Sequence, residues 1–320
     1  MGSVPALDEV TITANFDRRV EDGTIIYDQN YQTVKYLDDG FSFEFRILSG
    51  LHKKPTPASS PPLQSSSGCA PGSDIDVSGY KVADLGSTHL VAFNKFSSAR
   101  PHLLVLTQDG FRRQHEALDI DDMTALRNVL LSLDDTASKY LAIFNCGVES
   151  GCSRLHKHMQ VFPAPQDFPL WPDSEPDAAA GGGSEPAGVP FRCFVHHFEK
   201  DDNGLGGVGG VGGNASSARE VTEIYQELLR RAESCLSATS SPGSSMKTGR
   251  AAAVPHNVIL SRKWIVVVPR RRAGVNGADV NAAGFLGMVW VSSGDKMRRW
   301  TEQGAGAVLR EVGLPASSSG

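Results

Sequence analysis

An α+β architecture built on antiparallel sheet is what this sequence predicts, and three observations predict it. Residues 24–48 alternate polar and apolar side chains, most clearly in Ser42-Phe43-Glu44-Phe45-Arg46-Ile47, with Asp38-Asp39-Gly40 as the turn between two strands. Two other stretches, 119–133 and 219–236, carry apolar residues at helical spacing. Strand-like and helix-like segments are interspersed without the regular strand-helix repeat of a parallel sheet.

The elements follow in order. Residues 55–73 are rich in Pro, Ser and Gly and read as a flexible loop, the whole insertion running to about 79 before order resumes near Tyr80. His89-Leu90-Val91-Ala92-Phe93-Asn94-Lys95-Phe96 and His102-Leu103-Leu104-Val105-Leu106-Thr107 read as two buried strands joined by a turn over 97–101. A helix over 119–133 places Met123, Leu126, Leu130 and Leu133 on one face and acidic residues in its first turn, where the helix dipole favours them. A strand over 140–145 ends in the glycine-bearing segment 147–151.

Beyond Pro163 the composition changes. Residues 178–183 and 204–213 are low-complexity and offer too little side-chain area to offset the entropy of ordering, so insertions at about 172–189 and a Gly-rich linker over 199–218 are expected to be flexible. Residues 191–198 read as a strand. The helix over 219–236 uses Val221, Ile224, Leu228 and Leu229, and 237–253 reads as another disordered loop. Residues 257–269 give two short strands around the polar turn Ser261-Arg262-Lys263, and 292–312 reads as helix. The expected organisation is an N-terminal catalytic region (1–198), the linker, and a C-terminal region (219–316) that completes the site.

With 320 residues, 40% hydrophobic, the chain is long enough for a sizeable core. Its 31 basic and 36 acidic side chains give a formal charge of -5, which offers no bulk attraction to nucleic acid. The N-terminal residues lack a basic stretch followed by an apolar run, and Ala6 stands where a myristoylation signal wants Ser or Thr. The longest apolar stretches are too short to span a bilayer. A monomer in the cytoplasm, with the nucleus as a second compartment and neither membrane nor nucleic acid as partner, is the expectation. Five cysteines form no Cys-x-x-Cys pair. Cys146 and Cys152, beside the histidines, raise the question of zinc, but two dispersed thiols do not supply a closed ligand set, and no metal site is assigned.

The chemistry concentrates in His156-Lys157-His158-Met159-Gln160. On a strand, His156, His158 and Gln160 share one face while Lys157 and Met159 point the other way. A neutral imidazole is nucleophilic toward phosphorus and leaves again readily, which suits covalent nucleotidyl transfer. Taken alone, the triplet is equally compatible with an exposed strand or a partial metal site. Upstream, Asn145-Cys146-Gly147-Val148-Glu149-Ser150-Gly151-Cys152-Ser153 can turn backbone N–H groups toward phosphate.

The segment Asn145-x-Gly147-x-x-Ser150-Gly151-x-Ser153-x-x-His156-x-His158-x-Gln160 resembles the active-site signature of diadenosine tetraphosphate phosphorylases, the fungal-type ATP adenylyltransferases of the histidine triad superfamily. Leu51-His52-Lys53-Lys54-Pro55, Asn94-Lys95-Phe96, His102 to Val105, Phe111-Arg112-Arg113-Gln114, residues 257–270 and Gly284-Phe285-Leu286-Gly287-Met288 resemble family segments in family order. Arg154 departs from the pattern, standing where the family has glutamine.

The resemblance implies a histidine-triad-like antiparallel sheet flanked by helices. It implies that His158 attacks the α-phosphorus of diadenosine tetraphosphate, that ATP leaves, and that inorganic phosphate releases ADP from the adenylyl-histidine. His156 would orient the nucleophile or contact a phosphate oxygen, and Gln160, unable to exchange a proton near neutral pH, would favour phosphate over water as acceptor. Substrate contacts would come from Lys54, Asn94, Lys95, Asn145, Gly151, Cys152, Ser153, Arg154, Gln160, Ser261, Arg262, Lys263 and Arg272. No cofactor is required, and a divalent cation could accompany the substrate's phosphates. Alternatives are an ADP-forming sulfate adenylyltransferase, a galactose-1-phosphate uridylyltransferase, whose motif has proline where this chain has Lys157, and a dinucleoside polyphosphate sensor without turnover.

Overall fold

The computed structural model describes residues 7–53, 69–133, 139–174, 186, 188–198, 213–239 and 253–316, without the side chains of 213–217 and 239. In chain order the elements are α1 (Glu9–Glu21), β1 (Gln32–Asp38), β2 (Phe41–Ile47), β3 (Lys81–Leu85), β4 (His89–Phe93), β5 (Leu103–Thr107), α2 (Ile120–Leu133), β6 (Tyr140–Cys146), β7 (His158–Pro163), α3 (Trp171–Ser174), β8 (Phe194–His197), α4 (Gly213–Thr239), β9 (His256–Leu260), β10 (Trp264–Pro269), β11 (Gly274–Val275), β12 (Ala278–Asp279), β13 (Met288–Val291), α5 (Gly294–Thr301) and α6 (Ala305–Val312).

The centre is an eight-stranded sheet in the order β3-β4-β5-β7-β6-β9-β10-β8, every neighbouring pair antiparallel. Its two faces are both buried, and side chains alternate between them. Tyr140, Ala142 and Phe144 of β6, with Met159 and Val161 of β7, join a core closed by α1, α2 and α4. Leu141, Ile143 and Phe162 face the opposite core, which is closed by the smaller sheet β1-β2-β13 with α5 and α6. The result is helices, large sheet, and a mixed third layer, as expected of an α+β chain.

The turn between β1 and β2 is two residues long, and both Asp39 (φ 50°) and Gly40 (φ 80°) adopt the positive φ that such a hairpin demands. β13 then pairs parallel with β2, Met288 opposite Glu44. β6 pairs with β9 over Ala142↔Leu260 to Cys146↔His256, so the regions read as N-terminal and C-terminal share one sheet.

Four expectations need correction. The insertion expected to be disordered through 79 contains Ser73 and Ile75, both buried, and Asp74, whose carboxylate is hydrogen-bonded to backbone before β7; polar contacts order this stretch despite its composition. Residues 213–218 and 237–239, read as linker and loop, belong to α4. The helix expected over 292–312 is two helices, because Gly304 at φ +79° breaks the path between α5 and α6. Of the insertion expected at about 172–189, residues 172–174 belong to α3 and Val189 packs into the core beneath the smaller sheet, because Pro172 and Val189 bury apolar surface; its residues 175–185 and 187, with 204–212 and 240–252, lie outside the described residues. No helix among the described residues is long and apolar enough to cross a membrane.

Candidate active site

β7 starts at His158, beside the C-terminal end of β6 and the N-terminal end of β9. The His158 N–H donates to Gln114 Oε1 (2.8 Å), and Gln114 Nε2 donates to the carbonyls of His158 (3.0 Å) and Asn145 (3.1 Å). His158 Nδ1 lies 2.8 Å from the His156 carbonyl. That contact is a hydrogen bond only if Nδ1 carries the proton, which places the ring's lone pair on Nε2. A buried imidazole with one nitrogen spent on orientation and the other basic is the arrangement a covalent catalyst needs.

His156 lies just before the strand, and its ring is committed to protein. Nδ1 meets Ser73 Oγ at 2.8 Å and Nε2 meets Thr107 Oγ1 at 2.9 Å; Asp74 accepts the backbone N–H groups of Leu155 and His156, both at 2.9 Å. Burial pulls His156 below the ordinary imidazole value, against the opposing charge of Asp74. What His156 offers His158 is therefore its carbonyl oxygen, with its ring fixing the segment.

Lys157 points the other way, as strand alternation predicts. Its Nζ is fully buried and donates to Asp122 Oδ2 and the Ala117 carbonyl, both at 2.6 Å, while Asp122 Oδ1 meets His89 Nε2 at 3.0 Å. Burial opposes the charged form of Asp122, but the His89 hydrogen bond and the Lys157 charge outweigh it and hold the carboxyl well below the usual carboxylate range. This triad ties β7 to α2.

The loop preceding the two histidines is anchored by the C-terminal region. Asn257 Nδ2 donates to Asn145 Oδ1 (2.8 Å) and to the Ser150 carbonyl (3.0 Å). Arg270 Nη1 reaches Asn257 Oδ1 (2.5 Å) and the Ser150 carbonyl (3.2 Å), and Nη2 reaches the carbonyls of Arg272 (2.7 Å) and Val280 (3.0 Å). Burial pushes the Arg270 guanidinium down to about 9, so it still carries its charge at neutral pH. Gly151 sits at φ +81°, and a Cβ there would lie 2.3 Å from the Val280 carbonyl oxygen, so only glycine fits. From Gly151 to Leu155 the chain is half-buried and leads into His156 and His158. Arg154 Nη1 turns back to the Ser153 carbonyl (3.0 Å). Burial pushes the Cys152 thiol up to about 11, leaving it neutral.

Gln160, next on the His158 face, is half-buried; its Oε1 lies 3.0 Å from His102 Nε2, and Asn94 Nδ2 lies 3.3 Å from the same nitrogen. The rings of Phe162 and Trp290 pack against His102. Among the described residues, Trp290 Nε1 is a buried donor without an acceptor.

The remaining expected contacts divide. Lys95 is exposed, with Nζ against the rings of Tyr80 and Phe96, and Lys54 lies outside the described residues. Asn145 is placed at the site, but its Oδ1 is already engaged by Asn257 and by the Ala282 N–H (2.9 Å). Ser261, Arg262 and Lys263 are not brought to His158. The register puts Leu260 opposite Ala142, several residues along β6 from Asn145, and Ser261 Oγ there accepts the N–H groups of Lys263 and Trp264, closing the β9–β10 turn. Arg272 pairs with Glu311 of α6 at 2.9 Å on the surface.

Ser73, Asp74, His102, Gln114, Asn257 and Arg270 are the positioning residues that motif reading did not single out. His102, Gln114, Asn257 and Arg270 lie in segments that resemble the family, but nothing local marked their contacts; Ser73 and Asp74 stood only as polar residues in a loop-like stretch. Among the described residues no group of three or more His, Cys, Asp or Glu is arranged to hold a metal ion.

A family model described as Ap4A phosphorylase N-terminal domain matches residues 21–172, and one described as ATP adenylyltransferase C-terminal domain matches residues 187–315. Two proteins of Saccharomyces cerevisiae are similar in sequence. Diadenosine 5',5'''-P1,P4-tetraphosphate phosphorylase 2 is 28% identical over 226 residues, which span 65% of this chain and 64% of that protein. Protein APA1 is 23% identical over 335 residues, spanning 99% and 97%. Among solved structures, yeast Ap4A phosphorylase Apa2 in complex with AMP superposes with a TM-score of 0.74 at 22% identity, covering 98% of this chain and 99% of that one. Apa2 in complex with Ap4A gives 0.72 at the same identity and coverage. At that identity the likeness establishes the fold.

Proposed function

The chain belongs to the Ap4A phosphorylase family, its N-terminal domain followed by the ATP adenylyltransferase C-terminal domain, and on that premise we propose that it phosphorolyses diadenosine tetraphosphate to ADP and ATP. The observation that carries this reading is the 2.8 Å contact from His158 Nδ1 to the His156 carbonyl, which leaves a basic Nε2 on a fixed ring.

In this reading Nε2 attacks the α-phosphorus of the dinucleotide. The bond from that phosphorus to its bridging oxygen breaks, and the oxygen departs with ATP, leaving adenylyl-histidine. An oxygen of inorganic phosphate then attacks the same phosphorus, the bond from Nε2 to phosphorus breaks, and ADP is released. Charge building on the phosphoryl oxygens is met by N–H groups of the loop that follows Gly151, whose own N–H is spent on the Val148 carbonyl, by the Gln160 amide, and by cations, of which Lys54 and Lys95 are the candidates. ATP is a good leaving group, so the scheme asks for no strong general acid. A divalent cation would travel with the substrate's phosphates, and no protein-bound metal enters a step.

Glutamine at position 160 supports phosphate as the acceptor, since an amide binds an anion without serving as a base toward water. The test is phosphate dependence. ATP and ADP should appear together, one of each per dinucleotide consumed, only when inorganic phosphate is present. Two molecules of ADP, or product formation without phosphate, would overturn the reading in favour of hydrolysis. Sulfate, offered alone, distinguishes an acceptor-tolerant enzyme from a phosphate-specific one.

A further inference from the structure

Glutamine can turn either its oxygen or its NH2 toward a bound phosphate, and only the NH2 attracts it. What decides the matter here is a second histidine. The Ser98 N–H donates to His102 Nδ1 at 3.1 Å, so Nδ1 must hold a lone pair and a neutral His102 must carry its proton on Nε2. Asn94 Oδ1 accepts the Phe96 N–H at 3.2 Å, which turns the Asn94 NH2, itself a donor, toward the His102 edge; Asn94 therefore cannot accept the Nε2 proton. Gln160 Oε1, 3.0 Å away, does.

We propose that His102 is a positioning residue that locks the Gln160 amide with its oxygen inward and its NH2 toward the nucleophile's phosphate. The ring itself is held firmly. It is buried, it is gripped by Phe162 and Trp290 edges, and its tautomer is set by backbone, which a side-chain rearrangement during turnover leaves untouched. Gln160 thus enters the reaction with its donor already aimed, and no part of the substrate's binding energy is used to turn it. The proposal rests on phosphorolysis as the activity, and its test is built to fail separately from it.

The first measurement needs no turnover. In nitrogen-15-labelled protein, long-range proton–nitrogen correlations of His102 should give an unprotonated Nδ1 and a protonated Nε2 with a slowly exchanging proton. The opposite tautomer would overturn the proposal whether or not the enzyme is active. The second is a double-mutant cycle on phosphorolysis. Gln160→Ala should lower kcat on the order of 100-fold. His102→Phe, which keeps the ring packing, should lower kcat with little change in KM, and should cost nothing further in the Gln160→Ala background. An equal fold-loss in both backgrounds would make His102 merely structural. If His102→Phe does not fold, the tautomer measurement on wild-type protein decides alone; if wild-type protein shows no phosphate-dependent turnover, the functional reading fails and the tautomer result still stands.

Discussion

Gln114 holds His158 as a neighbouring strand would, accepting its N–H at 2.8 Å and donating to its carbonyl at 3.0 Å through one side-chain amide. Gln114→Glu changes almost no volume but replaces the NH2 with a second acceptor facing the His158 and Asn145 carbonyls. The expected loss is about 3 kcal/mol in unfolding free energy, read from a urea titration, together with slower adenylylation of His158 in a single-turnover assay. A variant as stable and as fast as wild type would show that the amide is dispensable.

Lys157→Met removes one partner from a pair in which neither side chain is exposed, leaving the Asp122 carboxylate with His89 and backbone only. Destabilisation by about 3–5 kcal/mol is expected. Replacing both partners, as Lys157→Met with Asp122→Leu, should recover much of that loss in the same denaturation experiment, because no unpaired charge then remains buried.

His256 is fully buried, donates Nδ1–H to the Val254 carbonyl (2.7 Å) and meets Tyr225 Oη at 2.9 Å through Nε2. Burial lowers its pKa from 6.5 to about 4, so the fold requires the neutral ring. Between those values the unfolded chain binds a proton that the folded chain refuses. The stability from this site is therefore complete above about pH 6.5 and falls as pH drops toward 4, by on the order of 3 kcal/mol. His156 and His196 shift in the same direction. Thermal melts from pH 7 to 4 should show a decline that flattens in His256→Gln.

The two motif histidines should separate chemically. His158→Ala should abolish the acid-labile adduct formed with adenine-labelled substrate. His156→Gln should weaken the contacts to Ser73 and Thr107 and slow adduct formation, yet leave the label detectable on His158. Loss of all label in both variants, with His156→Gln still folded by circular dichroism, would give His156 a direct chemical role.

Much of the fold was legible in local pattern. Asp39-Gly40 announces a hairpin because two positive φ values favour those residues, and Lys157 and Met159 point away from Gln160 because a strand alternates. α1 was not legible: Val10, Thr11, Ile12 and Thr13 are poor helix formers, and its formation rests on the Asp8 cap (2.8 Å to the Thr11 N–H) and on burial of Ile12 and Phe16. At the site, the His-x-His-x-Gln pattern and its shared strand face were readable from spacing, which by itself left an exposed strand or a metal site open, whereas the contacts of Gln114, Asn257 and Arg270 are made across the sheet. Arg272 and the Ser261 turn looked suited to phosphate by charge and polarity, but strand register, which no local pattern encodes, carries the Ser261 turn elsewhere, and Arg272 pairs with Glu311 on the surface.

The carbonyl of Ser150, in the loop that precedes the histidine motif, is held by the guanidinium of Arg270, 120 positions further along the chain, and Arg270 also donates to the Val312 carbonyl at 3.3 Å. During synthesis the motif emerges from the ribosome long before Asn257 and Arg270, which fix the loop ahead of it. A nascent chain halted before residue 270 carries the whole histidine motif, with Ser73, Asp74 and Gln114 to hold it, but lacks the guanidinium that grips the Ser150 carbonyl, so the loop ahead of the motif gains its last anchor only late in translation.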